Sequence, residues 1–272
     1  MDMQPTPTRS IFEPLKIAVS LLTRWPVKIA TPVNEADQGK SVAYYPLVGL
    51  LIGSLLYTCA YAATTLLPNA NPLLLAVILV SIWVVITGAL HLDGLADSAD
   101  AWLGGYGDRA RTLAIMKDPA CGPAGVISLV LALLGKTAAL AALLSSAAVI
   151  SASPFLSPAI VLLPLLIAPL LGRAACSALF LILPYVRENG IGHGAAQTFK
   201  QRLAQPPTQI ALLLSIALTL LCGQWLMLLI AVVVLLIGIY MMRQRLGGFT
   251  GDTAGALVEV VEVMGLVAVG LS

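Results

Sequence analysis

The chain carries unusually little charge. Only 10% of its 272 residues are charged, against roughly 25% in an ordinary soluble domain, and its mean hydropathy is +0.95. The net charge of +2 is small, and no basic run with interleaved aromatic residues is present, which excludes nucleic acid as a partner. A hydrophobic content of 59% instead predicts an all-α, polytopic integral membrane protein.

The sequence also lacks a cysteine framework and a cleavable signal. The four cysteines form no CxxC pair and have no histidine at metal-site spacing, so we interpret them as small apolar core residues. The polar, proline-bearing residues 1–10 are not followed by a short apolar core and a small-residue cleavage site. We therefore expect the first helix to remain in the mature protein.

Long apolar runs set the predicted architecture. A membrane crossing needs about 20 residues, and about seven spans are predicted, at about 43–67, 72–92, 124–149, 155–183, 208–222, 225–242 and 253–271. Ahead of them, residues 11–30 show an amphipathic period with charges inside it, which favours a helix in the membrane interface over an additional span. We expect a single membrane-embedded catalytic domain over residues 1–272.

The connections between the spans fall into two kinds. One set carries no charge, at 68–71, 150–154 and 222–224; the alternate set holds most of the remaining basic residues, at 93–122, 184–207 and 243–252. An excess of Arg and Lys marks the cytoplasmic side of a membrane protein. We expect a multi-pass protein of the cytoplasmic (inner) membrane of a bacterium, with its polar chemistry facing the cytoplasm.

An aspartate stripe is the most informative feature. Asp93, Asp97 and Asp100 are spaced by four and three residues, so in a helix they lie within roughly 60° on one face. Crowded carboxylates favour a hard divalent cation, and magnesium is usually completed by substrate phosphates. The stripe therefore predicts a magnesium site for phosphoryl transfer. The alternative is a solvated helix end, which would normally include lysines; none occurs between Val42 and Arg109.

A glycine-rich segment, 247–255, follows a cytoplasmic connection. Glycines let backbone amides approach an anion, and a helix N-terminus favours phosphate, so Gly248, Thr250 and Gly251 are predicted to bind substrate and Asp252 to bind a second cation. The alternative is that Thr250 or Asp252 is only an N-cap. An N-cap alone would not explain four glycines.

Two smaller candidates accompany these segments. Lys117 can meet a phosphate as a point charge, and Asp118 can bind metal or accept a proton. Arg24 lies in an Arg-Trp-Pro step at interfacial depth, where membrane anchoring is the favoured role. Phosphate binding by Arg24 is the alternative, and we keep it among the substrate-binding candidates.

Four charged residues lie inside the predicted spans: Lys136, Arg173, Glu259 and Glu262. A charge at such depth costs a few kcal/mol and needs a partner or an aqueous cavity. One interpretation pairs them as buried ion pairs; the other has them line a pocket open to the cytoplasm, and both can hold. On the second interpretation, Lys136 and Arg173 are candidates to bind substrate, Arg173 being the favoured one, and Glu259 is a candidate metal ligand.

Taken in order, these motifs resemble a known family. The segments are His91-Leu92-Asp93-Gly94-Leu95-Ala96-Asp97, Met116-Lys117-Asp118, Gly172-Arg173, Gly248-Phe249-Thr250-Gly251-Asp252, Gly255-Ala256 and Glu259. Their order in a polytopic chain of this length closely resembles the cobalamin synthases, the adenosylcobinamide-GDP ribazoletransferases. The resemblance covers nearly the whole chain, but the first ten residues and 184–207 carry little of it.

The resemblance implies an Mg²⁺-dependent transferase that joins adenosylcobinamide-GDP to α-ribazole or its 5'-phosphate. GMP leaves, and adenosylcobalamin or its 5'-phosphate forms. In such a reaction one aspartate takes the proton of the attacking ribose hydroxyl; whether that is Asp93, Asp97 or Asp118 is left open. Membrane lipid is an expected partner, and homo-oligomerisation is left open.

Two other functions compete with this one. A CDP-alcohol-type phosphotransferase of lipid synthesis also uses clustered aspartates, but the Ala-Arg step expected after Asp-Gly is absent here. An ion-coupled secondary transporter would use the intramembrane charges as coupling groups. Such transporters often contain internal repeats, and none is visible in this sequence.

Overall fold

The computed structural model describes residues 11–151, 157–187, 192–200 and 205–272. Within these ranges the chain is helical, and an isolated bridge joins Tyr185 to Phe249. The helices are α1 Glu13–Leu22, α2 Glu35–Ser41, α3 Tyr45–Leu66, α4 Pro72–Thr87, α5 Leu90–Gly104, α6 Arg109–Ile115, α7 Pro123–Ser151, α8 Pro158–Val161, α9 Leu163–Ile182, α10 His193–Lys200, α11 Gln205–Leu221, α12 Trp225–Leu246 and α13 Gly251–Gly270.

The all-α membrane class is confirmed, with fewer full-length spans than predicted. Five helical stretches of the described chain are long and apolar enough to cross a membrane, at Glu35–Leu66, Pro123–Ile150, Pro158–Ile182, Trp225–Leu246 and Gly251–Gly270. The α4–α5 pair makes a sixth if it is counted as one bent span. The predicted span at 208–222 corresponds to α11, whose 17 residues reach about 26 Å, short of the roughly 30 Å hydrocarbon core.

The predicted interfacial helix at 11–30 is shorter in the structure. It is α1, which ends at Leu22, and Thr23 is extended. The chain then folds back, and the backbone N–H of Ala30 donates to the buried carboxylate of Glu13. The apolar face of α1 contacts α2 and α3, so the amphipathic period reflects packing against the protein.

The chain turns sharply between α4 and α5. Gly88 and Ala89 both adopt left-handed backbone conformations, with φ of 60° and 57°, and the two helices are bent by 88°. The predicted span at 72–92 therefore ends early, at Thr87. Helix α5, which carries three aspartates, thus leaves the direction of α4.

Helix α13 lies at the centre of the helical packing, in contact with α5, α7, α9 and α12. Its crossing with α5 is unusually close. A Cβ at Gly94 would lie 2.7 Å from the carbonyl oxygen of Asp252, and one at Gly255 would lie 3.3 Å from the Cα of His91. The Asp252 backbone therefore leaves no room for a Cβ at Gly94, and a Cβ at Gly255 would require a shift of a few tenths of an ångström. This crossing brings the aspartates of α5 beside the first turn of α13.

Candidate active site

Carboxylates from two helices gather where α5 crosses α13. Asp93 is exposed, Asp97 is half-buried and the side chain of Asp252 is 17% exposed. Burial, followed by repulsion from Asp93 and Asp252, raises the pKa of Asp97 to about 6. Negative charge is therefore concentrated here, as expected of a site that binds a cation or a cationic group.

Asp100 shares the helix face of Asp93 and Asp97 but is directed at the start of α7. Its two carboxylate oxygens accept backbone N–H bonds from Gly122, at 2.7 Å, and from Gly125, at 2.9 Å. A carboxylate at a helix N-terminus satisfies free N–H groups and complements the helix dipole. Asp100 therefore fixes the start of α7 beside the site, and its role as a metal ligand remains a prediction.

The donor set fits a cation that is shared with a substrate. Among the described residues, no three His, Cys, Asp or Glu side chains are placed to hold one ion by themselves. Mg²⁺ typically binds one or two carboxylates, several waters and substrate phosphates, and is seldom enclosed by protein ligands alone. Any two of the carboxylates of Asp93, Asp97 and Asp252 would supply the protein ligands of such an ion.

Residues 184–187, which follow α9 and are called the strap here, are fixed against the segment that leads into α13. The N–H of Val186 donates to the carbonyl of Phe249, and the N–H of Phe249 donates to the carbonyl of Pro184, both at 2.9 Å. The ring of Tyr185 packs edge-on against that of Phe249 at 5.3 Å. A Cβ at Gly248 would lie 2.1 Å from the Pro184 oxygen, so this approach requires glycine.

The strap places at the site the guanidinium of Arg187, a residue that sequence analysis missed. Nη1 of Arg187 lies 2.7 Å from Oδ2 of Asp252, and the Arg187 side chain is 28% exposed. An ion pair this open to solvent is worth about 0.2–1 kcal/mol, so it stabilises the fold little. Arg187 lies in the 184–207 connection, which carries little of the family resemblance, and no local sequence pattern indicates a binding role for it. The only sequence feature near it is the end of the preceding apolar run.

The glycine-rich segment is explained mainly by packing. Gly247, with φ of 70°, ends α12 in the left-handed conformation. Thr250 is the N-cap of α13, and its side chain and that of Thr253 form a capping box. Gly248 and Thr250 are buried and Gly251 is exposed. Phosphate binding by Gly248, Thr250 and Gly251 remains a prediction, and Gly251 is the best placed for it.

The connection after α6 reaches the same site. Lys117 and Asp118 are exposed, and Oδ1 of Asp118 accepts the N–H of Ala120 at 3.0 Å. The far end of this connection is tied to Asp100 through the N–H of Gly122. Lys117 and Asp118 thus precede Gly122 by five and four residues in the chain, and their predicted roles stay predictions.

The intramembrane charges form a network buried within the helices. Nζ of Lys136 lies 2.6 Å from Oε2 of both Glu259 and Glu262. Arg173 binds the other oxygen of Glu262 and approaches Nδ1 of His91 at 3.3 Å. Because Arg only donates, Nδ1 accepts and the proton of His91 is on Nε2. The ion-pair interpretation is thus confirmed.

The network leaves Arg173 and Lys136 with 0% and 3% exposure, and Glu259 with 4%. Their side chains bond one another and His91, and Nε of Arg173 has no hydrogen-bond partner among the described residues. Lys136 also lies 4.3 Å from the centre of the Trp83 ring, a favourable cation–π position. Substrate contact by Lys136 and Arg173, and metal ligation by Glu259, remain predictions without a supporting contact.

Arg24 lies at the α4–α5 turn. Its N–H donates to the carbonyl of Ile86 at 2.7 Å, and its side chain lies across Gly88, where a Cβ would be 1.9 Å from Nε. These contacts tie the segment after α1 to the turn that precedes the aspartates. They show a positioning contact for Arg24, while its substrate contact remains a prediction.

A cavity of about 440 Å³ lies between α5, α12 and α13. Leu95 and Trp102 line it from α5, about half a helical turn round from Asp93 and Asp97. Its lining is almost wholly apolar, with Met241 and Met264 opposite. The carboxylates therefore lie on a different side of α5 from this cavity.

The fold and the site define a multi-pass helical membrane protein with an acidic centre where α5 crosses α13. Comparison with known proteins makes the class specific: residues 14–270 match the family model described as Cobalamin-5-phosphate synthase. The chain therefore belongs to the cobalamin-5-phosphate synthase family, whose members are transferases of cobalamin biosynthesis. The resemblance seen in the sequence is confirmed.

Curated relatives agree with this assignment over their full length. The chain is 47% identical over 258 residues to the adenosylcobinamide-GDP ribazoletransferase of Stutzerimonas stutzeri, covering 95% of this chain and 98% of the relative. It is 44% identical over 267 residues to the protein of the same name from Pseudomonas paraeruginosa, covering 97% and 100%. No solved structure matches.

Proposed function

We propose that this protein is a Mg²⁺-dependent transferase that joins adenosylcobinamide-GDP to α-ribazole or its 5'-phosphate and releases GMP. The observation that carries the proposal is the crossing of α5 and α13, where the carboxylates of Asp93, Asp97 and Asp252 lie close enough to repel one another. The name of the relatives, adenosylcobinamide-GDP ribazoletransferase, indicates the donor and the class of acceptor.

The proposed reaction exchanges one P–O bond for another. A ribose hydroxyl of the acceptor attacks the phosphorus on the corrinoid side of the diphosphate, and the bond from that phosphorus to the bridging oxygen breaks. GMP leaves with the bridging oxygen, and the hydroxyl proton passes to a carboxylate. Asp93, Asp97 and Asp118 are the candidates for that base.

The same carboxylates have a second task in this proposal. Asp97 and Asp252, with Asp93 at the exposed edge, would hold Mg²⁺ together with the diphosphate oxygens. The bound ion would neutralise charge that develops on those oxygens. Asp100 maintains the geometry by holding the N-terminus of α7.

We place this site on the cytoplasmic side of a bacterial inner membrane. The charged connections 93–122, 184–207 and 243–252 together hold eight of the 15 lysines and arginines of the chain, whereas the connections between them hold none. This asymmetry follows the positive-inside rule. Exposed apolar side chains such as Leu131 and Leu236 would face lipid.

Purified protein in detergent tests the function. It is incubated with adenosylcobinamide-GDP and α-ribazole, with Mg²⁺ or with EDTA, and GMP and the corrinoid product are quantified. We expect equimolar GMP and cobalamin, formed only with Mg²⁺ and with the acceptor present. Replacing the donor with CDP-diacylglycerol and quantifying CMP tests the lipid alternative. Absence of GMP release under all these conditions would contradict the proposal.

A further inference from the structure

Arg187 is an unusual partner for a predicted metal ligand. Its guanidinium lies 2.7 Å from Oδ2 of Asp252, and its charge acts on Asp97 as well. Among the described residues this is the ion pair that involves a carboxylate of the site. A guanidinium and a divalent cation repel each other, so both cannot occupy this oxygen at once.

The backbone determines where the guanidinium can go when it leaves Asp252. The two bonds between the strap and Phe249 fix the chain as far as Val186, and Phe249 is itself 1% exposed against Phe180 at 4.9 Å. Arg187 is therefore attached at a fixed point beside Asp252, while its side chain is 28% exposed and free to change rotamer.

Charge balance indicates what the guanidinium would meet. The site already holds the carboxylates of Asp93, Asp97 and Asp252, and a diphosphate would add one negative charge for each phosphate. A divalent cation neutralises only part of that total. The planar fork of an arginine matches two phosphate oxygens at once, which an ammonium cannot do.

We propose that Arg187 is the diphosphate-binding residue of the site: its guanidinium leaves Asp252 when the activated donor binds and contacts the diphosphate, which opens Asp252 to the cation. This inference rests on the proposed transferase function. It assigns Arg187 two partners in sequence, Asp252 in the free protein and the diphosphate in the complex.

Steady-state kinetics with adenosylcobinamide-GDP test the exchange. In Arg187→Gln we expect KM for the donor to rise at least about tenfold, because the charge-assisted bonds are lost, with a smaller change in kcat. The Mg²⁺ concentration for half-maximal rate should fall, since Asp252 loses its competitor. Arg243→Gln, at an exposed residue near the end of α12, is the matched control and should leave both constants unchanged.

The expected rise in donor KM and fall in the Mg²⁺ concentration for half-maximal rate distinguish a binding role of Arg187 from a structural one. A purely structural role would raise both constants or leave both unchanged, and either result would overturn the inference. Arg187→Lys covers the case in which the Gln variant folds poorly: it keeps the charge beside Asp252 but loses the fork, so KM should still rise at an unchanged Tm. Wild-type KM in Arg187→Lys and Arg187→Gln would overturn the inference.

A second readout needs no turnover. Cys121 is exposed, so its interpretation as a core residue is wrong, and it lies next to Gly122, which is bonded to Asp100. Its reaction with a maleimide therefore reports occupation of the site. In a background with Cys59, Cys176 and Cys222 replaced by Ser, Mg²⁺ with GDP should slow labelling of Cys121, and Arg187→Gln should abolish this protection. Protection retained in Arg187→Gln would refute diphosphate binding by Arg187. No turnover by the wild type would instead refute the proposed function.

Discussion

Glu262 is the residue on which the buried network depends. Its two carboxylate oxygens serve both cations, Lys136 and Arg173, whereas Glu259 bonds Lys136. The four side chains comprise two cations and two anions and are all buried. Glu262→Gln preserves the shape of the side chain but leaves two buried cations opposed by Glu259 alone.

The expected loss follows from this imbalance. Breaking a buried ion pair by neutralising one partner costs about 3–5 kcal/mol, because a charge is left uncompensated. Glu262 serves two cations, so the upper half of that range is expected. At about 2–4 °C per kcal/mol for a chain of this size, the Tm of the protein in detergent should fall by roughly 8–20 °C.

Thermal unfolding of matched variants in detergent tests this expected loss of Tm. Glu259→Gln affects one ion pair and should lower Tm less than Glu262→Gln. The double variant Lys136→Met with Glu262→Gln restores charge balance and should recover more than half of the loss. A wild-type Tm in Glu262→Gln, or no recovery in the double variant, would refute the network. If Arg173 serves only this network, Arg173→Lys should retain nearly wild-type turnover.

Two further predictions concern the carboxylates and the strap. Asp97→Asn should lower turnover at least ~10²-fold, about 2.7 kcal/mol, at an unchanged Tm, whereas Asp108→Asn, which keeps the cap of α6, should remain active; equal rates for both variants would contradict the assignment. Gly248→Ala places a Cβ 2.1 Å from the Pro184 oxygen, so we expect lower Tm and a higher donor KM. Gly270→Ala, whose nearest contact is 3.5 Å, is its control, and indistinguishable kinetics in the two would count against a positioning role for the strap.

Local sequence patterns predicted the features that depend on local structure. The helix that carries Asp93 and Asp97, the cap at Thr250 and the pairing of intramembrane charges all follow from spacing or from the cost of burial. The turn at Gly88 was missed, and apolar residues beyond it were assigned to the preceding span. Hydropathy measures the length of an apolar run but not a change of direction within it.

Features that depend on contacts between distant parts of the chain could not be predicted from the sequence. Arg187 and Asp252 are 65 positions apart, and they meet only because the strap pairs with Phe249. The glycines of 247–255 suggested a phosphate loop because the segments they touch were unknown. Gly248 makes room for Pro184, and Gly255 makes room for α5, so each reflects a neighbour that its own surroundings in the sequence do not reveal.

Helix α13 holds Asp252 in its first turn and Glu259 and Glu262 further along the same rod. Inserting or deleting one residue between them would rotate one end relative to the other by about 100°. Either the acidic centre or the buried ion pairs would then lose their partners. The number of residues between Asp252 and Glu259 is thus a fixed length in this protein, so evolution can alter the chain more freely in its connections than along this stretch of helix.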